Sequence, residues 1–148
     1  MQQTAPLTTS PRLPLSVLRE SPTNPRTTFT GLDEMAATIR TTGVVQALIV
    51  RPLAKPEKKV THEIVAGARR FRASQLAGIT DVPVDIRTLT DDQAIDIQQI
   101  ENLQREDLTP LEEAQAYLAM LSRTGQSINT IATRVGKTAK HIAARLSL

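Results

Sequence analysis

The sequence predicts an α+β protein in two parts: a small α/β half over roughly residues 13–89 and an all-α half from residue 90 onward. Three observations carry that prediction. Runs rich in Val, Ile and Leu ("VVQALIVRP", "VTHEIVA", "VPVDIRTL") are confined to the first half and alternate with helical patterns. Two helix-start signatures follow Thr90, and the closing stretch has the spacing of two short helices joined by a glycine turn.

Taken in order, residues 1–12 are polar, contain Pro6 and Pro11, and read as a disordered arm. "LPLSVLRE" reads as a short first strand closed by the turn-rich "SPTNPR". "GLDEMAATIRTTG" reads as a helix with Leu32, Met35, Ala36 and Ile39 on one face and Gly43 as its stop. "VVQALIVRP" is a strand ended by Pro52, "AKPEKK" an exposed loop, and "VTHEIVA" the next strand. A helix over Arg69–Ala77 and the strand "VPVDIRTL" complete this half. In "TDDQ", Thr90 caps and Gln93 reaches back; in "TPLE", Thr109 caps, Pro110 takes the first helical position and Glu112 reaches back.

Composition excludes several function classes. Without cysteine there is no disulfide framework and no thiolate chemistry, and His62 and His141 offer no local metal spacing. The aromatic residues are Phe29, Phe71 and Tyr117, too few for a platform that stacks single-stranded bases. The N-terminus lacks the apolar core of a signal peptide and no run has the length of a membrane span, so cytoplasmic residence is expected. The net charge of +3 conceals segregation: +6 over residues 1–80, −8 over 81–113 and +5 over 114–148. Basic blocks around an acidic middle suit a polyanionic partner met by particular faces.

"INTIATRVGKTAKHIAARLSL", Ile128 to Leu148, fits a helix-turn-helix. Ala132 permits close approach of the helices, Gly136 permits the tight turn, and Ile142 anchors the second helix. Thr138 is its expected cap. Lys137, Thr138, Lys140, His141 and Arg145 are the expected DNA contacts, unopposed by any acid within the segment. An antiparallel helix pair with a solvated basic face would show the same spacing.

"EIVAGARRFRASQLAG" places Arg69 and Arg70 just after Gly67, at a helix start where the helix dipole disfavours cations. Backbone N–H groups and two guanidinium groups together suit a polyphosphate, whereas a pair of surface salt bridges is the plainer alternative. In "IENLQREDLTPLEEA", Glu101 and Asn102 lie near the end of a helical run, where a carboxylate is likewise disfavoured. They could hold a hard cation shared with bound phosphates, or Glu101 could pair with Arg69 or Arg70.

The ordered set "NPRTTF", "GVVQALIVRP", "EIVAGARRFRASQLAG", "ENLQREDLTPLEEA" and the terminal helix-turn-helix resembles the ParB/KorB family of partition proteins, over nearly all of Leu13–Leu148. The resemblance implies a ParB-like nucleotide-binding domain at 13–107 and a DNA-binding domain at 108–148, which would be truncated relative to family members. It implies a clamp that binds CTP with Mg2+, loads on double-stranded centromere-like DNA, self-associates on nucleotide binding and is moved by a ParA-type ATPase. The location implied is cytoplasmic, on nucleoid or plasmid. Carried over by match, Gln46 would contact the cytosine, Gly67, Ala68, Arg69 and Arg70 would line the triphosphate, Glu101 and Asn102 would serve the metal, and Arg105 would support the site. Two departures stand out: Ala47 replaces the proline of the family's G-x-x-Q-P, and Ala68 replaces the glutamate of its G-E-R-R. The second removes the acid associated with CTP turnover, which sets hydrolysis in question before binding. Alternatives of a different class are a DNA-binding repressor or adaptor with a vestigial nucleotide site, and a ParB-like nuclease.

Overall fold

The structure, a computed structural model, describes residues 11–25 and 28–148. The arm expected over residues 1–12 therefore falls mostly outside the described residues, as do Arg26 and Thr27 of "NPRTTF". Of the residues expected in the arm, Arg12 belongs instead to strand β1 (Arg12–Pro14), where its guanidinium reaches Asp81 at 2.7 Å. The chain divides into two units, residues 1–94 and 95–148.

The first unit is a five-stranded mixed sheet with two helices. The single strand expected over "LPLSVLRE" is broken in two: β1 and β2 (Leu18–Glu20) flank a 3-10 turn at Leu15–Val17. They lie on opposite edges of the sheet, whose order is β1, β5 (Asp81–Ile86), β3 (Leu48–Glu57), β4 (Val60–Ala66) and β2. Helix α1 (Leu32–Thr42) ends at Gly43, whose N–H caps the Ile39 carbonyl at 2.7 Å. Its buried face is Ala36 and Ile39, with Leu32 and Met35 partly covered, as the helical period required.

Strand β3 (Leu48–Glu57) starts later and runs further than its sequence suggested. Pro52 does not end it, because β3 pairs with β5 (Asp81–Ile86) only over Leu48–Val50. Beyond that point one side of β3 is an open edge, where a missing N–H is tolerated. The expected "AKPEKK" loop is thereby drawn into a hairpin with β4 (Val60–Ala66), turning at Lys58, which has φ 54°. Leu48, Val50, Ile64, Val82 and Val84 meet Leu18 and Phe71 in the core beside helix α2 (Ala68–Ala77). Arg40 ties α1 to α2 by donating to the Leu76 carbonyl at 3.0 Å.

Helix α3 (Asp91–Leu103) opens on the expected capping box, with Gln93 N donating to the Thr90 hydroxyl at 3.2 Å and Thr90 N to the Gln93 carboxamide at 2.9 Å. The division between units falls inside α3. The second unit holds the rest of α3 with α4 (Pro110–Thr124), α5 (Ile128–Val135) and α6 (Ala139–Leu146). Tyr117, Met120, Ile131 and Ile142 are at its centre, each at most 1% exposed. Asp96 of α3 receives Arg123 of α4 at 2.8 Å and also pairs with Arg134 of α5. Burial alone would raise that carboxyl, but hydrogen bonds from the two arginines outweigh it and lower its pKa.

Candidate functional site

Residues expected to contact nucleotide fall in both units, and each set is described within its own. In the first unit, Gly67 makes the turn from β4 into α2 at φ 106° and ψ 19°. A side chain there is excluded twice, by the left-handed backbone and by Leu48, whose Cγ would lie 2.9 Å from an added Cβ. Gly67 also brings no side-chain cap to the first turn of α2. Ala68 is buried beneath it at 5% exposure.

The two arginines have separate settings. Arg69 turns towards the loop before α1, its Nε donating to the Thr30 carbonyl at 3.0 Å and its Nη2 to Gly31 at 3.5 Å. An added Cβ at Gly31, which has φ 69°, would lie 2.9 Å from that Nη2 and displace it. Arg70 is half-buried, with its Nη2 3.4 Å from where a Gly67 Cβ would be. Its carbonyl receives the hydroxyl of fully buried Ser74 at 2.7 Å. Neither of the simple surface salt bridges considered from sequence describes Arg69, whose partners here are backbone carbonyls. Arg72, one turn along, does form an ion pair: it grips Glu20 at 2.8 and 2.9 Å and lies 4.5 Å over the Phe29 ring. Gln46 is exposed in the bend that precedes β3, next to Val45, the most exposed large apolar residue described.

In the second unit, Glu101 and Asn102 sit in the last turn of α3, Glu101 exposed and Asn102 half-buried. Arg105 donates to the Asn102 carboxamide oxygen at 3.1 Å and forks onto Asp107 at 3.1 and 3.3 Å. Arg105 thus stitches the end of α3 to the loop before α4. That loop enters α4 through the capping box at Thr109 and Glu112 predicted from "TPLE". Among the described residues, no group of three or more His, Asp or Glu side chains is arranged to hold a metal ion.

The terminal helices have the expected geometry. Ser127 caps α5, Gly136 turns the chain at φ 74°, and Thr138 caps α6 by accepting from His141 N at 3.0 Å. Ala132 and Ile142 are buried at the helix contact, at 5% and 0% exposure. Lys137, Thr138 and Lys140 are exposed at the start of α6.

His141 and Arg145 differ from the expectation. No acid within the segment opposes them, yet Glu113 of α4 does: it meets His141 Nε2 at 2.5 Å and accepts from Arg145 Nε at 2.9 Å. Tyr117 completes the cluster, its hydroxyl donating to Glu113 at 2.5 Å. Burial would raise the Glu113 carboxyl, but hydrogen bonds from Tyr117, His141 and Arg145 overcome it and hold the pKa at about 2. Tyr117 is pushed up by its own burial and by bonding to the carboxylate. An ionised carboxylate only accepts, so His141 carries a proton on Nε2. Sequence reasoning missed Glu113 because its partners lie 28 and 32 residues away. The available signal was the pairing of Glu113 with Tyr117 and of His141 with Arg145, each one helical turn apart.

Comparison with known proteins adds the family context. The model for the ParB N-terminal domain matches residues 1–103, and that for the ParB HTH domain matches residues 106–148. The chain is 43% identical over 139 residues to the chromosome-partitioning protein Spo0J of Thermus thermophilus, covering 93% of this chain and 49% of that protein. It is similar to the crystal structure of C-terminally truncated ParB from Caulobacter crescentus complexed to the centromeric parS site, with a TM-score of 0.81 at 35% identity, over 93% of this chain and 70% of that one. The same Caulobacter protein complexed with CTP-γ-S matches at a TM-score of 0.58 and 38% identity, over 93% of this chain and 76% of that one. The chain spans about half the length of the curated relatives it matches.

Proposed function

This chain belongs to the ParB family, and on that premise we propose that it binds centromere-like double-stranded DNA through α6 and CTP through the turn at Gly67, as part of a chromosome- or plasmid-partition apparatus. The observation that carries the DNA half is the helix-turn-helix, with Gly136 at its turn and exposed Lys137, Thr138 and Lys140 at the start of its second helix. Cations there can neutralise phosphates and bond to guanine edges in the major groove.

The nucleotide half draws on the uncapped first turn of α2, which fits a phosphate chemically: it offers backbone donors and the positive end of a helix dipole. Gly67, Ala68, Arg69 and Arg70 are the residues we assign to the triphosphate, and Gln46 to the base. In the second unit, Glu101 and Asn102 supply hard oxygen atoms suited to Mg2+. Arg105 would hold Asn102 in position, as its 3.1 Å bond to that carboxamide suggests. Ala68 offers no proton acceptor, so the reading is of binding with little turnover. Nucleotide-dependent self-association, closure on DNA and engagement by a ParA-type ATPase at the nucleoid complete the proposal.

Calorimetry with each of the four ribonucleoside triphosphates and Mg2+, followed by titration of a parS duplex with and without CTP, tests both halves. Selective CTP binding lost in Arg70→Ala, and a parS preference weakened in Lys140→Ala, are the expected results. A parS preference with no nucleotide binding would instead support a DNA-binding module, the reading favoured by Ala68 and by Arg69 lying on backbone carbonyls.

A further inference from the structure

Helix α6 rests on a narrow apolar stripe. It has eight residues, too few to be stable alone, and among them Ile142 alone is buried. Three of the eight, Ala139, Ala143 and Ala144, carry only a methyl group. Ile142 and half-buried Leu146, one turn on, pack in the core of the unit and fix the depth of the helix, leaving its fine rotation about its own axis to polar contacts. A rotation of one residue, about 100°, would exchange the side chains presented to DNA.

We propose that Glu113 is the positioning residue that sets the rotation of α6, and so decides which side chains of that helix meet the DNA bases. His141 and Arg145 are one turn apart on α6 and converge on the two oxygens of this carboxylate, at 2.5 and 2.9 Å. Tyr117, one turn along α4, holds the carboxylate from its own helix at 2.5 Å. Three donors on two oxygens triangulate α6 against α4. The Glu113 side chain is 12% exposed, against 29% for His141 and 32% for Arg145, so the carboxylate itself is largely shielded from water.

The pairing also sorts the cations of α6. Arg145 and His141 are spent on Glu113, while Lys137 and Lys140 stay outward. Loss of the carboxylate would release Arg145 to any nearby phosphate, adding non-specific attraction while the reading face loses its setting. A group that merely stabilised the unit would act differently, lowering specific and non-specific binding together.

This inference rests on α6 as the DNA-reading helix, and the test separates the two. Affinities for a parS duplex and a scrambled duplex of equal length are measured by fluorescence anisotropy over a salt series, alongside helix content and thermal melting. Glu113→Gln is expected to lower the ratio of specific to non-specific affinity about tenfold. Its non-specific affinity should hold or rise, with a salt dependence steeper by about one released counterion. Tyr117→Phe keeps the ring and drops one donor, and should lower the same ratio by about threefold, short of the loss of a whole base contact. A parS preference kept in Glu113→Gln overturns the proposal. So does an unfolded Glu113→Gln beside a folded Tyr117→Phe of unchanged ratio. If the unaltered chain shows no preference between the duplexes, the reading of α6 fails and this proposal fails with it.

Discussion

Gly67 in the first unit and Gly136 in the second both turn the chain with positive φ, at 106° and 74°, yet they need glycine for different reasons. At Gly136 an added Cβ would meet nothing within 4 Å, so conformation alone is at stake. At Gly67 it would meet Leu48 at 2.9 Å, so conformation and packing act together. The two units also handle half-buried cations differently. Arg69 gives its donors to backbone carbonyls, which cannot be titrated away, while Arg145 gives its Nε to a carboxylate, which can. Chemistry at the first turn is therefore tied to packing, and at the second to charge.

The largest test of that contrast is Gly67→Ala. Left-handed strain and overpacking against Leu48 should together cost about 3 kcal/mol in urea unfolding. Gly136→Ala should cost about 1 kcal/mol, from strain alone; equal losses at the two positions would break the comparison. The charge half is sharpened by acid titration. Glu113 titrates at about 2 against an ordinary 4.5, so its folded pKa is depressed. Its contribution to stability is complete above pH 4.5 and is lost as pH falls towards 2. The melting temperature of the unaltered chain minus that of Glu113→Gln should shrink across that window and be flat above it. The smallest expected effect is at the entrance to α4, where Thr109→Ala removes a capping box and should cost about 1 kcal/mol or less, read from the same urea curves.

Much of the fold was legible because its signals are local. Capping boxes at Thr90 and Thr109, the stop at Gly43 and the Ala132, Gly136, Ile142 spacing each lie within a few residues, and each reappears as a hydrogen bond, a turn or a buried contact. The misreadings share a cause as well. Pro52 reads as a strand end, but whether a proline ends a strand depends on which neighbour lies beside it, and β5 stops pairing at Val50. "LPLSVLRE" reads as one strand, but its halves pair with β5 and β4 on opposite sides of the sheet. In the candidate site, Gly67 and the helix start that it opens without a side-chain cap were visible in the sequence. The carbonyls that hold Arg69 and the carboxylate that holds His141 and Arg145 were not.

By itself the sequence determined most of the order of elements, the two-part organisation and the helix-turn-helix pattern, because helix caps, apolar periods and glycine turns act over one or two turns of chain. Tertiary structure alone decided which cations remain free. A side chain's charge is written in the sequence, but its neutralisation depends on a partner brought within hydrogen-bond distance from 28 or more residues away. No local pattern encodes that distance; it exists only once α4 and α6 have packed on Tyr117 and Ile142.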